Sequence, residues 1–176
     1  KTILELRGVQ EQAPENPVVW RLMAFAYDAA GDADEASRAL RGAASIDALY
    51  YPEYVRYLLS RGSRAEARRA MEAFVSVPAA GLRPMTLRER ADLSQTLGRW
   101  PDALSDRRVL ARSGLPEDLA DLGFLFARLG FTEDAAAIAD QLIGPDRPES
   151  AVSAGVSILL ESGMVGEAVD RYLAAR

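Results

Sequence analysis

The chain has no histidine and no cysteine, and among its 21 basic residues the only lysine is Lys1. Without cysteine there is no disulfide framework and no thiolate metal site, and either redox compartment is allowed. Without histidine the usual general base and the commonest metal ligand are missing. Aromatic residues make up only 7% of the chain, so a core must be built mostly from alanine and leucine. No apolar run reaches the roughly 18 residues of a membrane-crossing helix. No secretion signal is read at Lys1, although the pattern opens partway through a unit, as an excised segment would. The net charge of −5 and a pI near 4.9 argue against nucleic acid as a partner, because phosphate binding calls for a basic surface. The arginine-for-lysine skew reads either as a GC-rich coding bias of bacterial kind or as use of the planar guanidinium fork.

What is present is a phrase written five times: glycine, three variable residues, an acid, then alanine. The copies are Gly31…Glu35-Ala36, Gly62…Glu66-Ala67, Gly98…Asp102-Ala103, Gly130…Asp134-Ala135 and Gly163…Glu167-Ala168. The glycines are 31, 36, 32 and 33 residues apart, a period that signals stacked structural repeats. Before Gly31, Trp20, Met23, Ala24 and Tyr27 fall on one helical face; after it, Ala36, Ala39, Leu40 and Ala43 do the same. Each unit therefore reads as helix, tight turn, helix. Glycine closes the first helix in a left-handed conformation. The acid sits in the first turn of the second, where the helix dipole favours it. Alanine marks a close approach between the two helices. Ser63 with Glu66 has the pattern of a capping box, and Asp32 with Glu35 resembles one.

These patterns predict helices over 2–12, 18–30, 33–46, 49–61, 64–76, 86–97, 101–112, 117–129, 133–143, 149–162 and 165–175. Prolines punctuate the connections, and residues 78–84 form the longest loop.

The spacing resembles the tetratricopeptide repeat, which carries characteristic residues at −11, −7, −4, +5, +9 and +12 around its glycine. The first unit matches with Trp20, Ala24, Tyr27, Gly31, Ala36, Leu40 and Ala43. The third departs from it at Ser94 and Arg107. The resemblance implies an all-α solenoid of about five repeats in a right-handed superhelix. They cover 17–48, 49–83, 84–115, 116–147 and 148–176, with 1–16 as the second helix of a preceding repeat. Both ends read as cut from a longer array.

The resemblance also implies a concave groove lined at −10, −6 and −3. Candidate partner-binding residues there are Arg21, Phe25, Asp28, Arg56, Arg88, Asp92, Gln95 and Phe124. Arginine forks suit carboxylates, but Asp28 and Asp92 on the same stripe could pair with them instead. Phe25 and Phe124 are either ligand contacts or packing between repeats. Tyr50, Tyr51, Tyr54 and Tyr57 form a cluster with the same two readings. Trp100, Phe131 and Met164 lie in the turns and make a second candidate edge. No repeat carries the Lys–Asn pair of chaperone-tail binders.

Carboxylates alone, without histidine, cysteine or an internal lysine, point away from an enzyme. No catalytic residue, cofactor or metal site is expected. The expected function is a protein-interaction scaffold. Its style resembles the periplasmic arrays of PelB-like exopolysaccharide secretion proteins, which recruit polymer-modifying enzymes. Direct binding of a polysaccharide along the groove is the alternative.

Overall fold

A computed structural model describes residues 3–175. The expectations for Lys1, Thr2 and Arg176 lie outside the described residues. Eleven α-helices are found among those described: α1 (Ile3–Gln12), α2 (Pro17–Ala29), α3 (Ala33–Ile46), α4 (Tyr51–Ser60), α5 (Arg64–Val75), α6 (Pro84–Thr96), α7 (Trp100–Ala111), α8 (Pro116–Leu129), α9 (Thr132–Leu142), α10 (Glu149–Glu161) and α11 (Val165–Ala174). The described residues contain no strand, and consecutive helices pack as neighbouring pairs. The fold is an all-α array of helix-turn-helix units. Two expected starts shift by two residues: residues 48–50 form a short 3-10 turn before α4, and α6 begins at Pro84.

The repeated glycines all have positive φ, between 73° and 81°. Each closes its helix with the same pair of bonds. At Gly31, the Gly31 N–H donates to Asp28 O at 3.0 Å and the Asp32 N–H donates to Tyr27 O at 2.9 Å. The residue after glycine then opens the next helix: Asp32 O accepts from the Ala36 N–H at 3.0 Å. Phe131 does the same between Phe126 and Ala135. The five-residue step from glycine to alanine follows, since that alanine is the first donor of the new helix. All five alanines are buried. Asp32 caps α3 through a bond from the Glu35 N–H, but Ser63 makes no such bond to α5. The box expected at Ser63 and Glu66 does not form; the glycine joint starts that helix without it.

The chain divides into two units, residues 1–100 and 101–176. The first has a core of Val55, Leu58, Met71 and Phe74, each fully buried. Tyr51 stacks on Phe74 with ring centroids 5.1 Å apart. Burying each such side chain stabilises the fold by about 1.5–3 kcal/mol. Three polar residues of α6 are buried: Thr86, Arg90 and Ser94. Ser94 stands where the other units have an aromatic or leucine. Arg90 donates to Phe74 O at 3.0 Å and Val77 O at 2.6 Å, satisfying carbonyls at the end of α5. At Arg90 a guanidinium thus takes the position held by Met23, Tyr54 and Leu122 in other units.

The second unit packs around Leu119, Phe126, Leu142, Ile158 and Leu159. Gly123 and Gly155 let isoleucines approach the backbone: a Cβ on Gly123 would lie 2.5 Å from Ile158 Cδ1. Arg107, buried where the repeat pattern calls for an apolar residue, pairs with Asp121 at 2.7 Å.

Candidate functional site

In the first unit the candidate stripe runs along α2, α4 and α6. Two successive arginines on it reach forward to the next repeat. Arg21 Nε donates to both carboxylate oxygens of Glu53, at 2.7 and 3.1 Å. Arg56 Nη2 donates to Glu89 Oε1 at 2.7 Å. Glu53 and Glu89 stand nine residues before Gly62 and Gly98, so the rule repeats from unit to unit. The expected pairing of Arg21 with Asp28 is replaced by this ladder. Asp28 instead accepts a 2.8 Å bond from the Tyr57 hydroxyl. Burial, then this bond to Asp28, raises the pKa of Tyr57. Of the remaining stripe residues, Arg88 and Gln95 are half-buried and Asp92 is exposed.

The carboxylates leave Arg21 and Arg56 with little spare cationic character. The apolar part of the stripe is more open. Phe25 is 50% exposed and lies under the Arg21 guanidinium, 4.9 Å from its ring centre. Val18 and Leu22 are exposed to nearly the same degree. With Phe25 they follow an i, i+4, i+7 spacing, so all three lie on one face of α2. This second apolar stripe beside the core stripe of α2 was legible in the sequence but had not been singled out.

The second unit treats its candidates differently. Phe124 is half-buried and packs against the core. Phe131 is exposed and meets Phe126 edge-on, with centroids 6.1 Å apart. Met164 also packs against the core. Trp100 is exposed at the end of the first unit. The exposed aliphatic residues of this unit concentrate on α11, at Val165, Val169 and Leu173.

Among the described residues no group of three or more Asp or Glu side chains is arranged to hold a metal ion. No helix among them is long and apolar enough to cross a membrane.

No family model matches the chain, and no curated protein matches its sequence. Solved structures do match its fold. YrrB, described as a TPR protein with an unusual peptide-binding site, is 13% identical, with a TM-score of 0.58 over 97% of this chain and 92% of that one. A putative kinesin light chain of Podosopora anserina with TPR-like repeats is 17% identical, with a TM-score of 0.58 over 92% and 95%. PilW, a type IV pilus biogenesis factor, is 18% identical, with a TM-score of 0.51 over 94% and 79%. At these identities the likeness is one of fold.

Proposed function

We propose that the chain is a non-catalytic protein-interaction scaffold whose α2–α4 face receives a segment of another protein. The observation that carries this reading is the row Val18, Leu22 and Phe25, half-exposed on one helix and bordered by the Arg21–Glu53 pair. Exposed apolar rows with a polar border mark interaction surfaces. A TPR-fold protein that binds peptide, YrrB, supports the same reading. The ion pairs make poor anion receptors, so the partner is held there chiefly by apolar side chains.

The finer reading is a periplasmic array of a bacterial exopolysaccharide export protein that recruits a polymer-modifying enzyme. Its support is the resemblance and the alanine- and arginine-rich composition. Reading the parent gene tests it: a signal peptide upstream and barrel strands downstream are expected, and a short cytoplasmic parent would sink it.

The binding face is tested by capturing partners from a source lysate with the wild-type chain and with the L22E/F25E variant. A partner lost in the variant, at unchanged helicity, is the expected result. A partner retained at full yield removes this face from the reading.

A further inference from the structure

On the other side of α4 the structure holds a cleft of about 740 Å³, within the first unit. This lies inside the range of about 300–1,000 Å³ typical of ligand sites. Its floor is the face of α4 that carries Tyr51, Tyr54 and Tyr57. Its walls are α3 and α5, which present Ala33 and Ser37 on one side and Ala70 and Ala73 on the other. These small residues keep the helices from closing over the tyrosine rings. On α4 the centre of the tyrosine row lies roughly 170° round the helix from the centre of the stripe Pro52, Arg56 and Leu59, at about 100° per residue, so cleft and stripe open on different sides.

Four guanidinium groups line this cleft: Arg38, Arg41, Arg61 and Arg69. Two acids, Asp34 and Glu66, share it. Arg38 is held by Glu35 at 2.7 Å, and Arg69 lies 3.8 Å from Glu66. Among the described residues, Arg41 and Arg61 have no acidic side chain within ion-pair distance. α4 follows α3 after a short connection and packs back along it, which puts Arg61, just past the end of α4, toward the Ala33 end of the cleft and Arg41 toward the other. Arg41 stands eight residues beyond Ala33 along α3, roughly 12 Å at the helical rise. An extended peptide covers a similar length, about 13 Å, in four residues.

We propose that this cleft binds an extended acidic peptide segment with carboxylates four residues apart, one on Arg41 and one on Arg61. Uncharged residues between them lie on the phenol rings and alanine walls. Guanidinium groups favour carboxylates through charge-assisted bonds, and aromatic floors favour flat amide groups and apolar side chains. Burial raises the pKa of Tyr51, so this part of the floor stays neutral. A polyuronate is a poorer occupant, because a carboxylate on every ring would bring some against Asp34 and Glu66. The assignment is independent of the α2 stripe.

The probe is a fluorescently labelled peptide with two glutamates four residues apart and a proline between them, titrated against the whole chain at low salt. The wild-type chain is expected to bind it and to lose affinity as salt rises. R41E/R61E is expected to weaken binding more than tenfold. A73W, which narrows the cleft at an exposed site without changing charge, is expected to weaken it severalfold. L22E/F25E is expected to leave it unchanged, which separates this cleft from the α2 face. Circular dichroism checks the fold of each variant. The proposal is overturned by absence of binding at millimolar peptide. It is equally overturned if A73W binds as the wild type does, since the attraction is then diffuse charge, or if polygalacturonate binds and the peptide does not.

Discussion

Residues 1–100 carry fourteen basic and thirteen acidic side chains, whereas residues 101–176 carry seven and thirteen. The acidity of the chain therefore belongs to its second unit. The first is close to neutral, and its cationic side chains are sorted: Arg21 and Arg56 are paired along one face, while Arg41 and Arg61 stay open on another. Packing divides along the same line. The first unit fills its core with rings and long side chains, and its buried guanidinium, Arg90, bonds to main-chain carbonyls, whereas Arg107 of the second pairs with Asp121. The second brings helices together over two glycines, Gly123 and Gly155, against one in the first, Gly42 beneath Trp20. One repeat phrase thus supports two ways of filling the space between helices. A single net charge for the chain conceals where each kind of ligand is favoured.

The largest expected effect tests the first of these ways. In Arg90→Met, the carbonyls of Phe74 and Val77 lose the guanidinium, and Phe74 O keeps only its main-chain donor, while the apolar volume is kept. A loss of about 3 kcal/mol is expected, since bonds to a charged donor contribute about 1.5–3 kcal/mol each and are not additive. Both tryptophans, Trp20 and Trp100, lie in the first unit, so urea unfolding followed by tryptophan fluorescence reads this loss. If circular dichroism shows the whole chain melting in the same shifted step, the two units are not separate in stability and the contrast between them fails.

The second way is tested by Gly155→Val. A Cβ there would lie 2.6 Å from Ile143 Cγ1 and 3.1 Å from the Ala139 carbonyl oxygen. The isoleucine can shift but the backbone oxygen cannot do so freely, and overpacking of this kind costs about 1–3 kcal/mol. The shift is expected in the circular dichroism transition and not in tryptophan fluorescence. An unshifted dichroism midpoint would show that the close packing of α9 and α10 is not needed.

The smallest effect concerns pH. The pKa of Tyr57 is raised in the fold, first by burial and then by its bond to Asp28. Its contribution to stability is thus fully present below the unfolded phenol value near 10 and is lost as pH rises through the higher folded value. Tyr51, raised by burial, acts in the same direction. Thermal midpoints are expected to fall above about pH 10, and Tyr57→Phe to lessen that fall. A variant that falls as steeply as the wild type would show that the hydroxyl bond to Asp28 contributes nothing.

The helices were legible because apolar spacing and glycine are local signals. Ala33–Ile46 is found as expected, and no other end among the described residues moves by more than two residues. Ser63 was misread because a capping pattern says which residues are available, whereas the turn already supplies the joint. Arg90 was missed for a different reason. It occupies a core position, and its partners are carbonyls 13 and 16 residues back, which side-chain patterns do not report. The arginine ladder spans 32 and 33 residues, and only the recurrence of glutamate nine before successive glycines hints at it. Of the cleft only the tyrosine floor was legible. The cleft itself depends on alanines and a serine of two helices facing each other across a third.

The joint after each repeat glycine has a further consequence for anyone altering the molecule. Its two functions, ending one helix and beginning the next, use only the main-chain N–H and carbonyl of a single residue. Aspartate, serine, phenylalanine and methionine all serve there, at positions 32, 63, 131 and 164. The backbone is indifferent to what that residue carries. Where the side chain has a second task, as in the cap made by Asp32 or the packing of Phe131 and Met164, that task is what a substitution removes. Ser63, which makes no cap bond, is the joint at which a dye, a cross-linker or a new recognition group can be placed without rewriting the array that carries it.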